Sequence, residues 1–258
     1  MYTKERHDKI LDLLNEKKSL SVKELSSLFN FSLATIRSDL NYLSSKGLLV
    51  RTHGGATVAN SKNEIVIERS YSIRSNKNQA QKKEIAKTAY TYIYSGQCII
   101  LDASSTCYEL AQLLKDTPMR LTILTNGLKT ADLLKDNPNI TLILIGGIVK
   151  GASNAVEGLI GTDILTKFNI DCIFISAHAF NLIDGLSDFN LYEVELKQRM
   201  IEVSTKVLAL LDTSKLERNS IATFAATDQI TTLITNKEID DQLKDSYHQA
   251  GMTIVTPS

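Results

Sequence analysis

Residues 19–55 read SLSVKELSSLFNFSLATIRSDLNYLSSKGLLVRTHGG. The stretch contains two short helical patterns joined by a tight turn, then a hairpin pattern. Ser21 precedes an apolar periodic run and has Glu24 three residues on, the pairing in which a serine hydroxyl and a glutamate satisfy each other's backbone N–H groups at a helix start. Val22, Leu25, Leu28 and Phe29 recur at helical spacing and form the predicted buried face of that helix. Asn30 and Phe31 make the turn, and Ser32 is the predicted N-cap of the next helix. In that helix Ile36, Leu40 and Leu43 point inward, which leaves Leu33, Ala34, Thr35, Arg37, Ser38, Asn41 and Tyr42 on the outer surface. Gly47 is expected to end it. Leu48–Val50 and Ala56–Val58 then pair as a hairpin with Arg51, His53, Gly54 and Gly55 at its tip. Upstream, Ile10, Leu11, Leu13 and Leu14 form the apolar stripe of a first helix running from about Thr3 to Glu16.

This order of elements is a winged helix-turn-helix, which sets its second helix into the major groove of double-stranded DNA. Such a helix needs donors and small side chains near its N-terminal end, where base edges and phosphates lie. Ser32, Thr35, Arg37 and Ser38 meet that need. Arg51, His53 and Gly54 supply a basic, closely approaching wing for the phosphate backbone. A three-helix bundle without a DNA role shares the capping pattern, but it does not require the sequence of turn, arginine-bearing helix, glycine stop and basic hairpin.

Composition sets limits on the rest. Lys and Arg number 29 and so do Asp and Glu. Residues 1–60 carry a net charge of +3 and the remainder −3, too small an asymmetry to mark a nucleic-acid binder by charge alone. No apolar run reaches the ~18 residues of a membrane span, and the charged start MYTKERHDKI has no signal-peptide core. A cytoplasmic location is therefore expected, with Cys98, Cys107 and Cys172 as reduced, mostly buried thiols. His7, His53, His178 and His248 are scattered without partners at ligand spacing, so neither a metal nor a cofactor is expected.

The predicted domains are a winged helix-turn-helix over residues 1–59, a linker over 60–78 centred on the polar NSKNE at Asn60–Glu64, and an α/β domain over 79–258. In the last, a helix is expected from Gln79 to Tyr94, with Ile85, Ala86, Ala89 and Ile93 inward and Gly96 as its stop. Strands are expected at Cys98–Asp102, Leu121–Thr125, Thr141–Ile145, Asp171–Ser176, Val207–Leu211 and, finally, Thr231–Thr235. Helices are expected at Cys107–Lys115, Leu128–Lys135 and 191–203. Continuous apolar strands separated by helices predict a doubly wound, mostly parallel sheet covered on both faces. Ligands of such sheets sit at the carboxyl ends of the strands. Those ends carry Asp102 with Ser104, Ser105 and Thr106 at a helix start suited to phosphate, then Asn126, Gly146-Gly147, His178, Asp184, Glu193, Lys197 and Lys215. Lys197 and Lys215 would neutralise a phosphate, while Asp102, Asn126 and Asp184 would hold sugar hydroxyls. Glu193 and Lys197, at i and i+4, read equally as an exposed helix-surface ion pair, and Gly146-Gly147 equally as a plain turn.

Leu25-Ser26, Ser32-Leu33-Ala34-Thr35-Ile36-Arg37-Ser38-Asp39-Leu40, Leu43, Gly47-Leu48-Leu49, Arg51 and His53-Gly54-Gly55-Ala56 resemble the signature of the DeoR family of bacterial transcriptional regulators. The segment IERSYSIRSNKNQAQKKEIAKTA resembles the entry into that family's sensor domain, and the resemblance runs from Tyr2 to about Asn236. It implies a regulator, most often a repressor of carbohydrate utilisation, that binds operator DNA as a homodimer or homotetramer. It also implies a sensor fold similar to ribose phosphate isomerase and glucosamine-phosphate deaminase, with a phosphorylated sugar as effector. By the same resemblance Asp102, Ser104, Ser105, Thr106, Asn126, Gly146, Gly147, Glu193, Lys197 and Lys215 fall on the effector site, and Asp39 orients the arginine of the recognition helix. Four departures stand out. The family's two successive arginines are Arg37-Ser38 here, which implies an altered operator. Ser105 replaces a glycine of the phosphate loop. Ser176–Phe180 and Asn236 replace Gly- and Asp-containing positions, which implies a retuned pocket. Two other readings compete: a DNA-binding regulator whose sensor has lost its ligand, and a sugar-phosphate isomerase or deaminase using Glu193 or Asp184 as base beside Lys197 or Lys215.

Overall fold

The computed structural model describes residues 3–17, 19–45, 48–52, 54–57, 71–150, 153–237 and 239–257. The expected roles of Gly47, His53 and Val58 and of the Asn60–Glu64 linker lie outside the described residues. The chain divides into two compact units, Met1–Lys77 and Asn78–Ser258.

The first unit comprises α1 (Thr3–Lys17), β1 (Ser19–Ser21), α2 (Val22–Phe29), α3 (Leu33–Ser45), β2 (Val50–Arg51), β3 (Gly55–Thr57) and α4 (Tyr71–Asn76). Its local signals act as their chemistry dictates. Ser21 Oγ accepts from Glu24 N–H at 3.1 Å and the Glu24 carboxylate accepts from Ser21 N–H at 2.7 Å. Asn30 adopts the left-handed conformation that closes α2, and Ser32 Oγ accepts from Thr35 N–H at 3.1 Å to open α3. Ile10 and Leu14 of α1, Val22 and Leu25 of α2, and Ile36, Leu40 and Leu43 of α3 close one core. Leu28 departs from expectation, since it is 59% exposed. Val22, Leu25 and Phe29 follow a single i, i+3, i+7 line toward the core, and Leu28 falls beside that line. The wing has a strand more than the hairpin expected: β1 pairs antiparallel with β3, giving the order β1-β3-β2. Three residues, Ser19-Leu20-Ser21, are too few to show a period.

The second unit follows the expected alternation. Helix α5 (Gln79–Tyr90) precedes β4 (Cys98–Leu101), α6 (Ser105–Leu114), β5 (Leu121–Thr125), α7 (Leu128–Leu134) and β6 (Ile140–Leu144). After β7 (Ile148–Val149) and β8 (Val156–Glu157) come β9 (Ile170–Ile175), β10 (Ala179–Asn181), β11 (Gly185–Asp188), α8 (Leu191–Glu202) and β12 (Ser204–Leu210). The chain ends with β13 (Ala222–Ala225), β14 (Thr232–Ile234), α9 (Asp241–Gln249) and β15 (Thr253–Val255).

Seven strands form one parallel sheet in the order β15-β14-β12-β9-β4-β5-β6. Alternate residues of each strand face opposite layers. Ile99 and Leu101 pack with Ile85, Ala89 and Leu110 on the α5–α6 side. Ile100, Ile173 and Ile175 pack with Leu196 and Met200 of α8 and with Phe180, Leu186 and Phe224 of a small antiparallel sheet, β10-β11-β13. Two covered faces explain the uninterrupted apolar strands. The strand order runs outward in two directions from the β4–β9 junction, and this reversal places a crevice at their carboxyl ends.

Some expectations on extents fail. The strand near Thr231–Thr235 is not the last, because α9 leads to the parallel edge strand β15. Helix α5 stops at Tyr90 rather than Tyr94, with Thr91 N–H turned onto the Thr88 carbonyl, although Ile93 still reaches the core. Cys98 is half-buried rather than buried; Cys107 and Cys172 are buried. Burial pushes the Cys172 thiol up to about 12 and the Cys107 thiol well above its ordinary value, so both stay protonated and unreactive. Among the described residues no helix is long and apolar enough to cross a membrane.

Candidate functional site

Helix α3 presents an outer face of Leu33, Ala34, Arg37, Ser38, Asn41 and Tyr42, all exposed, with Thr35 half-buried. Ser32 and Thr35 hydroxyls lie 2.9 Å apart and bond to each other at the start of the helix. Arg37 projects from the exposed face. Arg51 is not an open tip residue, as its position suggested. Its Nε donates to Asn41 Oδ1 at 3.1 Å and its Nη1 to the Gly55 carbonyl, so it ties the recognition helix to the wing with two of its five donors. Gly54 is exposed, and its carbonyl accepts from Val22 N–H at 2.9 Å. Gly55 serves the sheet: a Cβ there would lie 2.1 Å from the Leu20 carbonyl oxygen.

Asp39 does not orient Arg37. It is buried and accepts from Arg6 Nε at 2.6 Å and Nη2 at 3.0 Å, with His7 Nε2 2.9 Å from Oδ1. Arg6 also lies over the Phe31 ring at 4.4 Å, and His7 stacks on Tyr42 at 5.0 Å. The fork therefore clamps α1 onto the back of α3 and sets the angle at which the outer face is offered.

In the second unit, the strand ends converge on Asp102 and Ser176. Asp102, fully buried at the end of β4, accepts from Ser104 N–H on Oδ1 and from Ser176 N–H on Oδ2, each at 3.0 Å. Lys197 of α8 donates to the Ser176 carbonyl at 2.9 Å and to Asp188 Oδ2 at 2.8 Å, and lies 3.7 Å from Asp102 Oδ2. Burial opposes the Lys197 charge, but Asp188, Asp102 and Glu193 outweigh it and hold the ammonium above the ordinary lysine range. Lys215 donates to Ser176 Oγ at 3.0 Å. Asp212 caps the short turn that carries Lys215 by accepting from Ser214 N–H at 3.1 Å, and Asn78 Nδ2 reaches it at 3.1 Å. Burial would raise the Asp212 carboxyl, yet Lys215 and the Ser214 and Asn78 hydrogen bonds pull it below the ordinary range.

Glu193 and Lys197 are thus no surface ion pair; each is 5% exposed. At the start of α6, Ser104 Oγ accepts from Cys107 N–H at 3.1 Å. Ser105 is buried in the first turn, and its φ is not among the positive values seen in non-glycine residues, so its Cβ is seated without strain. Among the described residues, three buried polar atoms at this end of the sheet have no hydrogen-bond partner: Thr106 Oγ1 in the first turn of α6, and Asn126 Oδ1 and Thr235 Oγ1 just past β5 and β14. Gly146 and Gly147 are exposed; a Cβ at Gly146 would meet only the Gly161 Cα at 3.9 Å, whereas chain packing excludes one at Gly147 and at Gly161. A Cβ at Gly147 would lie 2.5 Å from the Glu157 carbonyl oxygen, and one at Gly161 2.3 Å from that of Gly146. Asp184 accepts from Asn181 at 2.9 Å and Asn219 at 3.4 Å in the β10–β11 turn, and His178 meets Phe189 edge-on at 5.1 Å.

The DeoR-like helix-turn-helix domain matches residues 6–62, and the DeoR C terminal sensor domain matches residues 77–237. The chain belongs to the DeoR family of transcriptional regulators. It is 39% identical to the HTH-type transcriptional regulator GolR of Listeria innocua, over 98% of each chain. A putative aga operon transcriptional repressor of Escherichia coli O157:H7 is 31% identical, over 98% of this chain and 93% of that one. Ribose 5-phosphate isomerase of Methanocaldococcus jannaschii overlaps 54% of this chain and 55% of its own, with a TM-score of 0.41 and 17% identity.

This DeoR-family regulator binds DNA through the α3 unit and is not an enzyme. Its strand-end network contains residues that sequence reading passed over. Asp188 lies in a strand too short to be recognised and meets Lys197 only through the packing of α8 on β11. Ser176 departs from the family pattern, yet its N–H, carbonyl and hydroxyl join Asp102, Lys197 and Lys215. Asn190, the N-cap of α8, holds Glu157 at 3.0 Å and Glu193 at 3.2 Å.

Proposed function

We propose that the protein represses a carbohydrate-utilisation operon and that a phosphorylated sugar, bound at the carboxyl ends of β4, β5, β9 and β12, changes its affinity for the operator. The supporting observation is the pair of unpartnered buried atoms, Thr106 Oγ1 in the first turn of α6 and Asn126 Oδ1 just past the end of β5, whose strand pairs with β4. Unpaired buried polar atoms cost ~1–3 kcal/mol each, and a ligand that pairs them recovers this. The first turn of α6 offers N–H groups and a positive dipole end to a phosphate, and Lys215 supplies counter-charge. Ser104, Ser105 and Thr106 line this turn; Asp102 and Lys197 hold its framework in place. Gly146 and Gly147 allow the backbone near Glu157 and Gly161 to close over the crevice.

On the DNA side, Ser32, Thr35, Arg37 and Ser38 face the major groove, while Arg51, His53 and Gly54 lie along the backbone. A homodimer or homotetramer matches the two-fold symmetry of an operator. The effector acts by binding the DNA-competent and incompetent conformations unequally. The name of the aga operon repressor supports the repressing direction. Thermal melting of the whole protein against phosphorylated sugars and polyols tests the reading: a ligand at ~100 times its Kd adds about 2.7 kcal/mol. A hit that also shifts operator affinity supports it. Stabilisation by no member of the panel refutes the effector class. Lys215→Ala is expected to leave ligand-free operator binding intact and to blunt the response.

A further inference from the structure

Glu157 ends β8 and is 3% exposed. Among the described residues its side chain has one hydrogen bond, from Asn190 Nδ2 to Oε1 at 3.0 Å. The same nitrogen lies 3.2 Å from Glu193 Oε1, so a single amide group holds two buried carboxylates side by side. Lys197, which counters Glu193, is committed at closest range to Asp188, at 2.8 Å. No cation pairs with Glu157 among the described residues.

A second, separate observation marks the same wall. Asn126 is joined to the residue before Glu157 in both directions: its Nδ2 donates to the Val156 carbonyl at 3.0 Å, and its carbonyl accepts from Val156 N–H at 2.8 Å. Asn126 is 2% exposed, and its Oδ1 has no partner. The Asn126 amide oxygen left open here and the carboxylate oxygens of Glu157 beside it are acceptors only. Burying an acceptor unanswered, or a carboxylate with a single neutral donor, is costly. A phosphate dianion would be repelled, and belongs instead at the α6 N-terminus.

We infer that Glu157 is a specificity-determining residue whose carboxylate, with Glu193 and Asn126 Oδ1, reads hydrogen-bond donors on the part of the effector remote from its phosphate. This rests on the effector reading above. It selects phosphorylated sugars that present hydroxyls or a protonated amine to β8, and rejects those that present acceptors or a second anion.

Calorimetric titration of the full chain tests this with three probes: a hexose 6-phosphate, the matching 2-amino-2-deoxyhexose 6-phosphate, and inorganic phosphate. Glu157→Gln keeps the shape and removes the charge. It is expected to weaken the better sugar phosphate ~10- to 100-fold while leaving inorganic phosphate unchanged or slightly tighter. A larger loss for the amino sugar identifies the donor as ammonium; equal losses identify hydroxyl. Parallel weakening of sugar and inorganic phosphate, or no change in either, overturns the assignment. Failure of wild type to bind either sugar phosphate overturns the effector reading itself, and this inference with it, and is recognised because the unaltered protein fails. If Glu157→Gln melts several degrees early, Glu157→Asp replaces it: it keeps the charge with a shorter reach, and wild-type discrimination among the probes by that variant would refute the role of Glu157's position.

Discussion

Replacing Asp39 with alanine removes the carboxylate that holds α1 to α3 and leaves Arg6, itself 6% exposed, without a counter-charge. Three contacts are lost together: two arginine donors at 2.6 and 3.0 Å and His7 at 2.9 Å. Breaking one side of a buried, hydrogen-bonded pair costs roughly 3–5 kcal/mol, a large part of the stability of so small a unit. Hydrogen exchange of the full chain reads this locally. Amides of α1 and α3 are expected to exchange about a hundred- to several-thousand-fold faster, those of β4, β5 and β9 unchanged, and operator affinity is expected to collapse. Unaltered protection in α1 and α3 would refute the clamp. A compensated pair, Arg6→Met with Asp39→Leu, should recover much of the loss, because a packed apolar pair replaces the ion pair at little net cost. The same contacts predict a pH dependence. Burial alone would raise the Asp39 carboxyl, but the Arg6 and His7 hydrogen bonds and charges outweigh it and hold it below the ordinary range. The folded-state value lies under the unfolded one, so the stabilisation is complete above about pH 4 and disappears as pH falls through the folded value. Asp39→Asn should flatten that acid limb for α1–α3.

Further outcomes follow from single contacts. Arg37→Ala should weaken operator binding by roughly 1–3 kcal/mol if the guanidinium reads a base, with melting unchanged; unchanged affinity in a gel-shift titration would remove it from the interface. Gly55→Ala forces a Cβ to within 2.1 Å of the Leu20 carbonyl, and should abolish DNA binding through loss of β1–β3 pairing, visible as exchange of the Leu20 and Ala56 amides. Lys197→Met removes the buried ammonium that lies 2.8 Å from Asp188 and 3.7 Å from Asp102. A cost of roughly 3–5 kcal/mol should lower the Tm of the second unit by about 10 °C; a shift under 2 °C would show that the carboxylates are compensated elsewhere. Because the Lys197 ammonium is held above its ordinary range, this stabilisation should persist to about pH 10 and fade only as pH rises through the folded value.

Legibility in the sequence followed range. Ser21-x-x-Glu24, Asn30 and Ser32 set their helix ends with atoms two to four residues apart, so spacing alone located them. The apolar strands of the second unit could be read because two covered faces demand unbroken runs of Ile, Leu and Val. Short elements escaped: β1, β7, β8, β10 and β11 have two to four residues each, less than a period needs. Leu28 fits the helical stripe yet stays exposed, because that stripe is wider than the line that packs.

Among the site residues, Asp102, Asn126, Lys197 and Lys215 were recognisable as polar residues at strand ends or on helices. Their partners were not. Arg6 and Asp39 are 33 residues apart, Asp102 and Ser176 74, and Asn126 and Val156 30; Lys197 meets Asp188 only because α8 folds back across β11. The sequence by itself determined the two-unit plan, the winged reader and the parallel sheet, because hydrophobic periodicity and capping act over a few neighbours. Tertiary packing alone decided which charges are spent within the fold and which acceptors stay open. A buried carboxylate's role depends on the groups that reach it through space, and its neighbours in the chain do not reveal them.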